Sequence, residues 1–353
     1  MKKIMFMPAD FAGCGQFRML QPCRDLQKMQ AEGLVTDLQF DLIHDKVENN
    51  VSSLALMEVL SEYDAVVFQR VASPSILEIL KQCKEKGIKT YLELDDALFH
   101  VSKTNPAYRI WNPSTLSWTC LKEAIKLVDK LILSTEELAD VYQKDNIVFH
   151  NAIDLTMPIY DPSNNRRNEI TRDKKIVGWA GSSSHIESLA QIKKPIKKLI
   201  SQRDDVIFAL CSNPEFMEFF DIPKDRKMYV KHKPFEEWPP VMSLFDVSLA
   251  TVVPGLFNAC KSELKILEAG IWGVPSVCTY VEPYARFKKV SNGGNFTVYE
   301  NNVNDWVNNI NKLLDSKETY QDMSEKTKNT IENIYNLRKI NEKRVDFFRS
   351  ELM

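Results

Sequence analysis

Short runs of β-branched, aromatic and other apolar residues alternate along the chain with longer stretches whose apolar positions recur every three to four residues. In the first half this pattern predicts strands over 3–8, 38–42, 65–69, 90–94, 130–133 and 147–149, with amphipathic helices over 17–31, 75–86 and 114–128. After Asp154 the apolar rhythm lapses through Pro158, Asp161-Pro162 and Ser163-Asn164-Asn165-Arg166-Arg167, and it resumes at Ile176. A polar, proline-bearing interruption of this kind predicts an interdomain linker, with a hinge around 155–173. The second half repeats the design, with strands over 176–180, 206–210, 228–232, 247–251, 275–279 and 296–299 and helices over 187–202, 259–272 and 303–316. A charged helical stretch over 318–352 follows, its apolar members including Tyr320, Met323, Ile331, Leu337, Val345 and Phe348.

Strands that alternate with helices predict βαβ units and parallel sheets, here an α/β protein of two Rossmann-like halves. Open sheets of this class bind ligands at the carboxyl ends of their strands, so two such domains facing across a cleft place the expected site between them. Length agrees, since 353 residues suffice for two domains with their own cores. A net charge of −2 gives no global attraction to nucleic acid. Local basic runs such as Lys193-Lys194 with Lys197-Lys198 read as solvated helix faces or as phosphate contacts. Seven cysteines, odd in number and without a Cys-x-x-Cys pair, read as reduced thiols. No apolar run reaches the roughly 18 residues of a membrane span, and Met1-Lys2-Lys3 leads directly into a short strand. The expected location is cytoplasmic.

Four stretches carry candidate chemistry. Behind the first strand stands Phe11-Ala12-Gly13-Cys14-Gly15-Gln16-Phe17-Arg18. Glycines there let backbone approach a phosphate or sugar, and the helix beyond offers free N–H groups. The alternative is a tight turn without a ligand. A nicotinamide fingerprint wants a third glycine at 18, where Arg18 stands. Next, the strand Tyr91-Leu92-Glu93-Leu94 runs into Asp95-Asp96 and then His100. Adjacent carboxylates raise one another's proton affinity, so Asp95 is a candidate base or polariser of a hydroxyl, or else a turn cap.

The most informative stretch is Asn258-Ala259-Cys260-Lys261-Ser262-Glu263-Leu264-Lys265-Ile266-Leu267-Glu268-Ala269-Gly270, ahead of Gly273-Val274-Pro275. Helical spacing puts Leu264, Leu267 and Ile271 on one face and Lys261, Lys265 and Glu268 on another. Ser262 at the helix start, with both lysines, suits a diphosphate, and Glu268 suits ribose hydroxyls. A surface helix laced with Lys–Glu pairs is the alternative. Last, Gly178-Trp179-Ala180-Gly181-Ser182-Ser183-Ser184-His185 reads as a sugar or phosphate loop or as a serine-rich cap of a helix near Glu187. It lacks the Gly-x-Ser-x-Gly elbow of a serine nucleophile.

Taken in order, these pieces resemble the GT-B glycosyltransferases related to family 4, most specifically through Lys261-Ser262, Lys265, Glu268-Ala269-Gly270 and Gly273-x-Pro275. The resemblance implies a UDP-sugar donor, no cofactor, a retaining reaction, and an acceptor domain over 1–155. It further implies a nucleotide-sugar domain over 174–317 and a helical segment over 318–353 that crosses back to the first domain. In this scheme Glu268 holds ribose, Ser262 with Lys261 and Lys265 binds diphosphate, and Gly13, Gly15 and Ser182 line the sugar pocket. Two positions depart from the family: Cys260 replaces a glutamate eight residues before Glu268, and Ala180-Gly181 replaces a basic residue. A divalent metal is not expected, because no Asp-x-Asp donor motif is present and helix N-termini with lysines neutralise the diphosphate.

The N-terminal half is similar to the phage enzymes that glycosylate 5-hydroxymethylcytosine in DNA, through Ile4-Met5-Phe6-Met7, Gly13-Cys14-Gly15, Arg24-Asp25 and Tyr91–Asp96. This likeness puts Asp95 on the catalytic aspartate, with Leu94 where those enzymes carry a histidine. It implies double-stranded DNA as acceptor, a glucose or arabinose donor, and a flipped target base. Asp96, Lys103, Arg109 and Trp111 become candidate acceptor contacts, beside core or loop roles. Rival readings share the fold: a glycan-building transferase, a nucleotide-sugar epimerase, and a noncatalytic binding protein.

Overall fold

Among the described residues twelve strands form two six-stranded, all-parallel sheets, and their positions lie within a residue or two of those predicted. The computed structural model describes residues 1–43, 53–169, 174–182, 185–231 and 233–353. Outside them fall residues 170–173 of the expected linker, Ser183 and Ser184 of the fourth motif, and His232 at the end of an expected strand. The chain separates into two units. The first comprises Met1–Asp154, Cys260–Ser262 and Asn336–Met353, and the second Leu155–Ala259 with Glu263–Tyr335.

In the first unit the strands are β1 (Lys2–Met7), β2 (Leu38–Leu42), β3 (Ala65–Gln69), β4 (Lys89–Leu94), β5 (Lys130–Leu133) and β6 (Asn146–Val148), in the order β2-β1-β3-β4-β5-β6. The order reverses between β1 and β3, which makes their carboxyl ends the topological switch point. All five residues of β3 are buried, as expected of a strand covered on both faces. The helix Leu337–Leu352 supplies Leu337, Ile340, Val345 and Phe348, apolar positions spaced along one face, to the core that also holds Phe6, Phe40 and Tyr91. The ring of Tyr91 lies 5.3 Å from that of Phe347.

In the second unit β7 (Lys175–Ala180), β8 (Val206–Ser212), β9 (Lys227–Lys231), β10 (Val247–Ala250), β11 (Ser276–Thr279) and β12 (Asn295–Val298) follow the order β12-β11-β10-β7-β8-β9. Here the reversal lies between β7 and β10, in the strand order of dinucleotide-binding domains.

Several elements differ from expectation. The helix expected from residue 17 begins at Gly13–Gly15, runs through a π-helical turn at Gln16–Leu20 and continues as Gln21–Ala31. The segment 187–202 divides into helices Ile186–Ala190 and Lys193–Gln202, because Pro195 has no N–H to give and is accommodated only in a first turn. The segment 318–352 divides into Lys317–Asn333 and Leu337–Leu352, the second capped by Asn336, whose side chain accepts from Arg338 N at 3.0 Å. The short helices Ser53–Leu60, Glu136–Tyr142 and Glu282–Val290 carry too few turns for a clear periodic signal and were not expected. All seven cysteines are free thiols. Among the described residues no helix is long and apolar enough to cross a membrane.

Candidate active site

In the second unit the candidate residues gather at the switch point. Strand β7 ends in Trp179-Ala180, and Gly181 follows. A Cβ on Gly181 would lie 2.6 Å from the Trp179 ring and 3.2 Å from Lys265 Nζ, so glycine there leaves room for the indole beneath the ammonium. Lys265 donates to the Ala180 carbonyl at 2.7 Å and sits 5.3 Å over the Trp179 ring, whose indole N–H is anchored on Thr251 Oγ1 at 2.8 Å. Glu268, one turn further along the helix Leu264–Gly270, accepts from Trp238 Nε1 at 2.9 Å. Burial pushes its carboxyl above the ordinary range, against the opposing charge of Lys265 and the Trp238 bond. Ser182 directly follows Gly181 beyond β7. Trp238 was not singled out by sequence, since an isolated tryptophan in a loop carries no periodic or spacing signal.

The helix is shorter than expected, which corrects the shared face of Lys261, Lys265 and Glu268. Its first residue is Leu264, so Lys261 and Ser262 precede it and belong to the first unit. There the Ser262 hydroxyl accepts from Asn151 Nδ2 at 2.7 Å, and Lys261 Nζ pairs with Asp96 Oδ1 at 2.7 Å. Cys260 accepts from Thr135 Oγ1 at 2.8 Å through its carbonyl. Glu263 stays in the second unit, buried against Arg286 Nε at 2.6 Å and the Tyr335 hydroxyl at 3.0 Å.

The first unit presents its two carboxylates just beyond β4. They do not simply raise one another. Burial lifts Asp95, but the charge of Arg70, the Cys14 thiol that donates to it, and the charges of Arg18 and Lys261 outweigh burial and hold the carboxyl below its usual range. Burial and then the Asp95 charge lift Asp96, which Lys261 opposes. One oxygen of Asp95, Oδ1, is buried without a hydrogen-bond partner. The carbonyl of Asp96 is held by the Tyr142 hydroxyl at 2.7 Å.

Gly13 and Gly15 form a helical turn rather than an open loop. A Cβ on Gly15 would fall 1.7 Å from the Asp10 carbonyl oxygen, so the close approach of that backbone requires glycine, whereas Gly13 faces open space. Asp10 accepts from Ala12 N at 2.9 Å and Gly15 N at 3.1 Å and pairs with Arg70. Arg70 holds a left-handed backbone, φ +43°, an uncommon conformation for a residue with a Cβ and one found where a site over-determines the chain. It follows an apolar strand at its carboxyl end, the same signal that picked out Asp95.

Arg18, from the π turn, is buried under this site. Its Nε pairs with Glu93 Oε1 at 2.5 Å, and Nη1 donates to the Phe149 carbonyl at 2.6 Å and to Asn151 Oδ1 at 3.1 Å. Lys103 lies exposed in a turn and Arg109 exposed at the end of the 3-10 helix Pro106–Arg109, away from any charged partner among the described contacts. Trp111, by contrast, is 8% exposed and lines a cavity of about 470 Å³ at the ends of β1 and β3. Among the described residues no group of three or more His, Cys, Asp or Glu side chains is arranged to hold a metal ion.

No protein-family model matches the chain, and no curated protein matches it in sequence. Solved structures do match in fold. Anabaena HepE in complex with UDP-glucose is 12% identical, with a TM-score of 0.68 over 99% of this chain and 100% of that one. Sucrose-phosphate synthase from Thermosynechococcus elongatus is 11% identical, with a TM-score of 0.70 over 99% of each chain. WaaG, a glycosyltransferase involved in lipopolysaccharide biosynthesis, is 13% identical, with a TM-score of 0.63 over 98% of this chain and 99% of that one. At such identities the likeness speaks to architecture: two six-stranded parallel sheets flanked by helices, which is the two-domain GT-B fold.

Proposed function

We propose that the chain is a glycosyltransferase that binds a UDP-sugar through its second unit and presents the acceptor hydroxyl to Asp95 of the first. The observation that carries the donor reading is Glu268: a half-buried carboxylate held by Trp238, on the helix that follows β10 beside the switch point of a dinucleotide-type sheet, on a fold that HepE uses with UDP-glucose. An acceptor-only carboxylate suits two ribose hydroxyls, and Lys265 with Ser182 suits diphosphate oxygens. Lys261 and Ser262 are held by Asp96 and Asn151, and because Ser262 accepts in that bond its own O–H stays available to a phosphate oxygen.

Glu268→Ala is expected to weaken UDP roughly ten- to hundredfold by titration calorimetry, the worth of hydrogen bonds to a charged group. Unchanged affinity in a folded variant would remove the donor assignment. The same carboxyl sets a pH dependence. Because burial raises its folded pKa, the ionised form that accepts hydrogen bonds is lost on acidification earlier than for an ordinary glutamate, so UDP affinity falls at a higher pH than an ordinary glutamate would give. Glu268→Gln removes that dependence.

For the acceptor, the Tyr91–Asp96 likeness favours the hydroxymethyl group of 5-hydroxymethylcytosine in DNA, with glucose or arabinose transferred. The fold shared with WaaG favours a glycan. Mass spectrometry of nucleosides from hydroxymethylcytosine DNA, incubated with the protein and a panel of UDP-sugars, separates them. A hexose or pentose mass on hydroxymethylcytosine alone is the expected result. No addition, while UDP still raises the melting temperature, moves the acceptor to a glycan. Sugar released or isomerised without any acceptor selects the epimerase reading.

A further inference from the structure

Two of the groups that steer Asp95, the Cys14 thiol and the Arg70 guanidinium, come from different loops, and both are held by a residue to which the reading above gives no part. Asp10 stands shortly after β1 and divides its carboxylate between two tasks. Oδ1 accepts from Ala12 N at 2.9 Å and from Gly15 N at 3.1 Å, which fixes the turn carrying Cys14, and the Cys14 thiol donates to Asp95. Oδ2 pairs with Arg70 Nη2.

The second task matters most. Asp95 is faced by Arg70, Arg18, Lys261, Asp96, Glu93 and Tyr142 as well as Cys14, and among the groups that favour its charged form Arg70 stands first. Yet the ion-pair partner of Arg70 among the described contacts is Asp10, so Asp95 feels the guanidinium charge without bonding to it. The backbone fixes where that side chain starts: Arg70 N donates to the Glu93 carbonyl at 3.2 Å, and the residue is left-handed at φ +43°. A guanidinium released from Asp10 has Asp95, Asp96 and Glu93 within reach of its charge. Its planar fork would bind a carboxylate bidentately and fill the acceptor sites that a substrate hydroxyl needs.

We propose, resting on the assignment of Asp95 above, that Asp10 is a positioning residue for transfer: it pins the Cys14 turn and tethers Arg70, so that Arg70 acts on Asp95 as a charge and leaves the carboxylate to the acceptor hydroxyl. Asp10 itself touches neither donor nor acceptor in this scheme.

Asp10→Asn tests the tether alone. It keeps the oxygen that Ala12 N and Gly15 N require and turns an amide N–H toward Arg70. The kcat for transfer to hydroxymethylcytosine DNA should fall roughly ten- to hundredfold, the worth of hydrogen bonds to a charged group, with UDP affinity unchanged. Asp10→Ser, which keeps a capping oxygen without the tether, should do the same. Arg70→Gln is the reference, because it removes the favourable charge and so raises the pH at which Asp95 titrates. In Asp10→Asn the arginine remains and moves closer, so Asp95 should titrate at or below its wild-type midpoint. Carbon-13 NMR of aspartate-labelled protein, with Asp95→Asn to assign the resonance, reads these midpoints without any acceptor. The double variant Asp10→Asn, Arg70→Gln should transfer no more slowly than Arg70→Gln alone, since Asp10 acts through Arg70. An Asp95 midpoint that rises in Asp10→Asn as in Arg70→Gln marks a merely structural role and overturns the proposal, as does a further loss in the double variant. Normal transfer by Asp10→Asn rejects the proposal and leaves the transferase reading. Midpoints in the expected order without transfer by the wild type reject that reading and leave Asp10 as the residue that sets Asp95.

Discussion

Asp95→Asn should lower the transfer rate by roughly 10²- to 10⁴-fold, the range for a positioned acid–base or polarising group, and leave UDP affinity where it was. The argument starts from charge. Arg70, Arg18 and Lys261 reverse the effect of burial and keep Asp95 ionised, while Cys14 donates to it. A carboxylate so stabilised is a weak base, so in the proposed reaction Asp95 would orient the acceptor hydroxyl by accepting its hydrogen bond, more than remove its proton early. Asparagine keeps the shape and one acceptor oxygen but loses the charge. The depressed pKa also has a signed consequence. The ionised group stabilises the fold above its ordinary pKa, and that contribution fades as pH falls through the lowered value, so the activity supported by Asp95 should persist well into the acidic range. Steady-state kinetics beside UDP titration distinguishes the outcomes: full activity in the variant makes Asp95 structural, and a parallel loss of UDP binding makes it a donor ligand.

Arg18→Met should destabilise the protein by about 3–5 kcal/mol, read from the midpoint of urea unfolding. Arg18 and Glu93 are 1% and 2% exposed and 2.5 Å apart. Removing the cation strands Glu93, whose carboxyl burial already raises and whose Oε2 has no partner. The lower end of the range is favoured, because Arg344 stands in the same buried cluster. Burial and then the Arg18 charge push its pKa down to about 9, so it is already charged at neutral pH and its attraction to Glu93 remains when Arg18 is lost. The cost should shrink as pH is lowered, since a Glu93 of raised pKa takes up a proton and sheds its charge. The double variant Arg18→Met, Glu93→Leu should recover much of the loss, because a buried pair exchanged for apolar groups costs far less than a broken one.

Much of the architecture is legible along the chain because its signals are local. Parallel strands buried on both faces read as unbroken apolar runs, as at β3, and the polar residues that end them mark strand termini, as Asp95-Asp96 do after β4. Asn336 as a helix cap is a near-neighbour signal too, but it gains meaning only once the helix Leu337–Leu352 is seen in the first core. The expectation that Lys261 shares a helix face with Glu268 failed for the same reason in reverse. Its spacing is compatible with a helix, but Lys261 instead pairs with a carboxylate 165 residues away, ahead of a helix that starts later.

What the sequence determines by itself, then, is the alternation of strands and helices, where the strands end, and which polar residues stand at those ends, since each follows from hydrophobic period and near-neighbour chemistry. The tertiary structure alone decides the two strand orders and hence both switch points, and it decides the partners. Arg18 meets Glu93 across 75 residues, and Trp238 meets Glu268 across 30. Such pairings depend on which helix covers which strand, and no pattern of near neighbours along the chain carries that information.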